Sequence, residues 1–181
     1  MLASRSPQRR AILKVLGIEF SVVVADVVEL EEGPPDEVAV ENARRKAAAV
    51  AAGAPGTLVL GADTVVFLDG RIYGKPGDAE AARAALRALS GRRHTVVGGI
   101  CLIEDGCVRT AAARTDVEFR PLGAEVIDWY LRSGEWRDRA GGYAIQGRGA
   151  ALVKRIEGDY LNVVGLPVAT LLELAPGLLG I

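Results

Sequence analysis

A chain of 181 residues that is half hydrophobic and one quarter charged can bury a substantial core, and its length predicts one domain, or two small lobes, over residues 1–181. A formal net charge of −1, with Lys and Arg spread among Asp and Glu, argues against a nucleic-acid partner, because duplex affinity needs concentrated excess cation. No apolar run approaches membrane-spanning length and the N-terminus lacks the apolar core of a signal peptide, so a cytoplasmic protein with no membrane partner is expected.

The chain opens with Leu2-Ala3-Ser4-Arg5-Ser6-Pro7-Gln8-Arg9-Arg10, in which Ser6 is a good N-cap and Pro7 suits the first helical position. Leu13, Leu16 and the following Gly17 close a short helix. Serine hydroxyls, guanidinium groups and free backbone N–H groups at one helix start make an anion site; the alternative is a well-capped helix whose Arg residues face solvent. Residues 20–24 are β-branched and strand-like, and Pro34-Pro35-Asp36 introduces a long helix through Ala52, stopped by Gly53. On that helix Lys46 lies one i,i+4 step from Asn42 and on a different face from Arg44, so one cation can point inward toward an anionic ligand; the alternative is a solvated helix face.

Residues 57–63 read as a buried strand, ending in the carboxylate of Asp63. Strand ends in α/β folds are where ligand clefts open, so Asp63 is a candidate for holding a metal or a water; the alternative is a turn residue bonded to nearby backbone. Residues 65–68 and 71–73 around Asp69-Gly70 form a hairpin signal, with Gly74-Lys75-Pro76 placing a cation just beyond it. An alanine-rich helix over 78–89 precedes a longer hairpin, 94–103 and 107–119, turning at Asp105-Gly106. Cys101 and Cys107 flank that turn without metal-ligand spacing, so structural thiols are expected, with a cross-strand disulfide as the alternative. The single histidine, His94, has no paired nucleophile in a recognisable setting and reads as a strand residue rather than a general base.

An amphipathic helix around 124–131 leads to Gly141-Gly142-Tyr143-Ala144-Ile145-Gln146-Gly147, where backbone can approach a ligand and the Gln146 amide can read a nucleobase edge. Strand-like residues 151–156 follow, and Gly165-Leu166-Pro167 opens a final apolar helix to about Leu174. Alternating strand and helix periods without a repeat give an α/β class. The chain has no GxxxxGK[ST], so a P-loop nucleotidase is unsupported.

In order and spacing these segments resemble the Maf family of nucleoside triphosphate pyrophosphatases. The similarity is carried by Leu2-Ala3-Ser4-Arg5-Ser6-Pro7-Gln8-Arg9, Glu29, Ala43-Arg44-Arg45-Lys46-Ala47, Gly61-Ala62-Asp63-Thr64-Val65-Val66 and Gly74-Lys75-Pro76. Ser90-Gly91-Arg92-Arg93-His94, Ala140-Gly141-Gly142-Tyr143-Ala144-Ile145-Gln146-Gly147, Gly158-Asp159-Tyr160 and Val164-Gly165-Leu166-Pro167 complete it. The resemblance implies a mixed β-sheet with flanking helices in two lobes around a central cleft. It also implies hydrolysis of a triphosphate to monophosphate and pyrophosphate with Mg²⁺ or Mn²⁺, including house-cleaning of modified nucleotides, by a homodimer. Asp63 then matches the catalytic carboxylate, Glu29 a second carboxylate sharing the metal, and Arg9, Lys46 and Lys75 the cations that neutralise the triphosphate, with Ser4 and Ser6 adding hydroxyl contacts.

Thr64 and Gln146 match positions associated with base selection, and the Asp63-Thr64 and Tyr143-Ala144-Ile145-Gln146 segments look like the subgroup acting on dTTP and UTP. One departure stands out: Gln8 takes a place where that subgroup carries Arg. A neutral amide there relaxes selection or changes the favoured base. Two other readings compete: a nucleotide-binding regulator of cell division without relevant turnover, and a purine-directed pyrophosphatase of the inosine triphosphatase type. The intact Asp63, Lys46 and Lys75 speak against the first, and the Ser-Arg-Ser-Pro opening against the second.

Overall fold

The computed structural model describes residues 1–24 and 26–180. In chain order its helices and strands are α1 (Pro7–Val15), α2 (Pro35–Ala51), β1 (Val59–Leu68), β2 (Arg71–Tyr73), α3 (Ala79–Leu89), β3 (Arg93–Glu104), β4 (Cys107–Phe119), α4 (Ala124–Leu131), β5 (Val153–Glu157), α5 (Tyr160–Val164) and α6 (Val168–Leu174). Short 3-10 turns occupy Ala140–Gly142, Gly147–Leu152 and Pro176–Leu179. The strands form one sheet in the order β2-β1-β3-β4-β5, with every neighbouring pair antiparallel. Its mixed character comes from Leu2, whose isolated bridges to Leu60 and Val22 are parallel.

Both hairpins turn where the sequence places them. Asp69 and Gly70 adopt φ of 50° and 77°, and Asp105 and Gly106 adopt 47° and 80°, the doubly positive φ that a two-residue turn needs to match strand twist. Asp78 caps α3 by accepting a hydrogen bond from the Ala81 N–H at 2.7 Å.

Strand alternation sorts side chains between two layers. Even-numbered residues of β1 and β3, among them Leu60, Ala62, Val66, Ile100 and Leu102, join the main core with Leu86 and Leu89 of α3 and Ile127 and Tyr130 of α4. Odd-numbered residues, Val59, Val65, Val97 and Cys101, face α2. That helix lies close because both surfaces are small. Ala39, Ala43 and Ala47 form a fully buried stripe, and they meet Gly61 and Gly99. A Cβ added to Gly61 would stand 2.1 Å from the Ala43 carbonyl oxygen, and one on Gly99 2.2 Å from that of Ala39, so any side chain there would push the helix off the sheet.

Two expectations need correction. Residues 20–24 do not form a strand: only Val22 bridges, to Leu2, because the partner segment offers a single bridging residue, and Val22, Val23 and Val24 stay exposed. Nor does the strand predicted over 57–63 end at Asp63. It runs unbroken through Asp63 and Thr64 to Leu68, with Asp63 opposite Gly99 of β3. The thiols remain unlinked, since Cys101 stands opposite Thr110 and Cys107 opposite Glu104. His94 is the buried strand residue expected. It is 2% exposed, its Nε2 lies 2.8 Å from the Tyr143 hydroxyl, and burial lowers its pKa to about 4 against a weak opposing pull from Asp116. Among the described residues no helix is long and apolar enough to cross a membrane.

Candidate active site

Along β1 the outer edge is paired at Leu60 by the N-terminal residues, through Ala3 N–H to Leu60 O and Leu60 N–H to Met1 O at 2.8 Å each, and again from Val66 onward by β2. Residues 61–65 lie between these two partners, and a cleft of about 560 Å³ opens there. Its walls bring together Ser4, Ser6, Gln8, Arg9, Glu29, Lys46, Asp63, Thr64 and Lys75, which come from the N-terminal segment, α1, the segment before α2, α2 itself, β1 and the β2–α3 connection. Gln146 is not among them. It lines an adjoining pocket of about 220 Å³, which Gln8, Arg139 and Tyr143 share with the cleft.

At the base of the cleft Lys46 bridges two carboxylates. Its Nζ is 2.7 Å from Asp63 Oδ1 and 2.7 Å from Glu29 Oε1, and only 10% of the Lys46 side chain and 7% of Asp63 are exposed. The i,i+4 spacing puts Asn42 on the same face of α2, where its Nδ2 donates to Asp63 Oδ2 at 3.1 Å. Lys75 approaches Glu29 from outside at 3.9 Å. Burial alone would raise the Glu29 pKa, but the hydrogen bond from Lys46 and the charges of Lys46, Lys75 and Arg9 outweigh it and hold the carboxyl below its ordinary range. By contrast Arg44 and Arg45 pair with Glu41 on the outer face, so the solvated reading holds for these two cations and not for Lys46.

Arg9 is 8% exposed and ties three segments together. It donates from Nε to Gly165 O at 2.8 Å, and from its terminal nitrogens to Ser4 Oγ at 3.0 Å and Thr64 Oγ1 at 3.2 Å. Burial pulls its pKa down, opposed by Asp63 and Glu29, and its remaining N–H groups are left for an anion. Ser4 Oγ also accepts from the Ser6 N–H at 3.2 Å, so its own proton remains free to donate into the cleft. Ser6 is spent differently: its hydroxyl accepts from the Arg9 N–H as the helix cap and donates to Gln8 Oε1 at 3.2 Å, which leaves the Gln8 amide N–H groups for a ligand.

The sequence missed Asn42 as a partner of Asp63, and Arg137 and Arg139, which line the cleft. Helical spacing from Lys46 was the available signal for Asn42; nothing local marks the arginines. With them the cleft carries six Lys or Arg side chains against four Asp or Glu, an excess that suits a polyanion. Among the described residues no group of three or more His, Cys, Asp or Glu side chains converges. The Glu29 and Asp63 pair still fits a hard cation of the magnesium type, which keeps waters and takes its other ligands from a bound phosphate.

A model of a family described as "Maf-like protein" matches residues 1–177. The chain is 46% identical over 178 residues to a dTTP/UTP pyrophosphatase of Pyrococcus furiosus, covering 96% of this chain and 92% of that one. It is 46% identical over 178 residues to one of Deinococcus radiodurans, covering 98% and 91%. A third, from Symbiobacterium thermophilum, is 47% identical over 170 residues, covering 93% and 88%. Among solved structures, that of the Staphylococcus aureus Ham1 protein aligns with a TM-score of 0.48 at 22% identity, covering 65% of this chain and 70% of that one.

Proposed function

This chain belongs to the Maf family of nucleoside triphosphate pyrophosphatases, and we propose that it hydrolyses dTTP and UTP between the α and β phosphorus atoms within the cleft described above. The observation that carries the reading is the pair of carboxylates, Asp63 and Glu29, held by one largely buried ammonium at the base of a cationic cleft. Asp63 is the base that takes a proton from the attacking water. Lys46, with a third N–H beyond the two aimed at carboxylates, and Lys75 and Arg9 neutralise the triphosphate and the charge gathering on the pyrophosphate leaving group. The Ser4 hydroxyl donates to a phosphate oxygen.

Glu29 and Asp63, together with substrate phosphates, would hold a divalent cation, Mg²⁺ or Mn²⁺, which would supply further charge neutralisation at the phosphoryl oxygens. Thr64 and the adjoining pocket of Gln8 and Gln146 receive the base, where amide N–H groups can meet the carbonyl oxygens of uracil or thymine. A cytoplasmic homodimer without nucleic-acid or membrane partners completes the proposal, and light scattering tests its stoichiometry.

The deciding experiment is a panel of nucleoside triphosphates with Mg²⁺ or Mn²⁺, scoring pyrophosphate and monophosphate separately from orthophosphate. Pyrophosphate release concentrated on dTTP and UTP supports the full reading. A different favoured base keeps the enzyme and reassigns its substrate, whereas binding without turnover replaces catalysis with nucleotide sensing.

A further inference from the structure

Glu29 sits in an irregular segment, yet it must reach the same point as Asp63, which is fixed inside a sheet. The link between them is Asn42, which is 1% exposed. Its Oδ1 accepts from the Leu30 N–H at 2.7 Å, and its Nδ2 donates to Leu30 O at 3.0 Å and to Asp63 Oδ2 at 3.1 Å. With Leu30 the side-chain amide therefore forms the reciprocal pair of bonds that a neighbouring β-strand residue would make. The other N–H is aimed at the carboxylate. Turning the amide over would set its oxygen against both Leu30 O and Asp63, so the network admits one orientation.

We infer that Asn42 is a positioning residue that clamps the Glu29 segment to Asp63, so that both carboxylates meet a single divalent cation. The inference rests on the metal-assisted reading of the cleft and assigns no contact between Asn42 and substrate. Arg45 also bonds this segment, through Val28 O at 2.9 Å, but that contact is exposed and competes with water. Asn42 supplies the buried tether. The closeness of α2 to the sheet, permitted by Gly61 and Gly99, lets so short a side chain span helix, loop and strand.

The test compares Mn²⁺ binding by electron paramagnetic resonance, with a saturating α,β-imido analogue of dUTP, in the full chain and in Asn42→Ala and Asn42→Leu. The Leu variant keeps the helix and fills the space, so it reports even if the Ala variant folds poorly. Partners standing behind metal ligands are typically worth roughly 10–100-fold in metal affinity, and a loss of at least about ten-fold is expected here. Amide hydrogen exchange in residues 26–32 should accelerate in the same variants. In a Glu29→Gln background most of the affinity loss should disappear, because the segment no longer carries a ligand.

Unchanged Mn²⁺ affinity, unchanged exchange over residues 26–32, or an equal loss in the Glu29→Gln background would overturn the inference. These readouts need no turnover. An absence of pyrophosphate release therefore sinks the proposed reaction, while the expected affinity losses would still uphold the clamp.

Discussion

Replacing Lys46 with Met keeps an unbranched side chain one atom shorter and removes the charge that Asp63 and Glu29 share. Asp63 would then be a buried carboxylate with only the Asn42 amide as donor, and Glu29, no farther away than the two 2.7 Å contacts allow, would repel it. Removing one partner of a buried pair typically costs about 3–5 kcal/mol. The lower end applies here, since 36% of the Glu29 side chain remains exposed and its repulsion is screened. For a chain of this size roughly 3 kcal/mol corresponds to a fall in Tm of roughly 6–12 °C, readable by calorimetry at neutral pH.

The pH dependence gives a second check with a fixed sign. Because Lys46 holds the Glu29 pKa below its ordinary value, it contributes stability that is present above the unfolded carboxyl range and lost as pH falls through the folded value. The gap between wild type and Lys46→Met should therefore be widest at neutral pH and narrow in acid, where protonation relieves the unpaired carboxylates. Divalent cation should also close part of it, because a metal can take the ammonium's place between the two oxygens. A variant that melts with wild type at neutral pH, or whose deficit grows in acid, would refute the claim that Lys46 neutralises the buried Asp63 and the half-buried Glu29 together.

Asp63→Asn should abolish pyrophosphate release while nucleotide binding by calorimetry changes little, since general-base loss costs about 10²–10⁴-fold and the cationic walls are intact; undiminished turnover would remove Asp63 from the mechanism. Gln8→Arg should sharpen the preference for dTTP and UTP in competition assays, because a charged bidentate donor replaces a neutral amide beside the adjoining pocket, and an unchanged profile would show that position 8 does not read the base. His94 is neutral in the fold, with a pKa near 4, and gains a proton on unfolding below about 6.5. Stability should accordingly fall between those pH values by up to about 3 kcal/mol, and His94→Gln should flatten that part of the Tm profile. A parallel profile in the variant would assign the acid loss to other groups.

Local chemistry made several elements readable before any fold was known. Ser6 and Pro7 announce a helix start, and the cap forms; Asp69-Gly70 and Asp105-Gly106 demand hairpins, and both turn there. β4 and α4 fall on the expected residues, 107–119 and 124–131. Residues 20–24 misled because β propensity cannot supply a partner strand, and α5 went unnoticed because a helix of five residues has too little periodicity to register. Asp63 was singled out for chemistry while its setting was misjudged. Gly61-Ala62-Asp63-Thr64 looks like a strand closing in a turn, yet pairing with β3 carries the strand straight through.

The amino-acid order alone determined which residue types were available to the site, and the resemblance they carried assigned them a common chemistry. Asp63, Lys46, Lys75, Arg9 and Ser4 were legible, because charge, hydroxyl chemistry and helical or strand spacing are local properties, whereas Glu29, in an irregular segment, was marked only by the resemblance. Only the tertiary structure decided that they converge, and how. The gap between the N-terminal residues and β2 leaves the outer edge of β1 unpaired over residues 61–65, and the facing Gly61 and Ala43 let α2 approach until Lys46 and Asn42 reach Asp63. The reason is that an open strand edge and a helix-to-sheet distance are set by contacts between residues far apart in the chain, which no local pattern encodes.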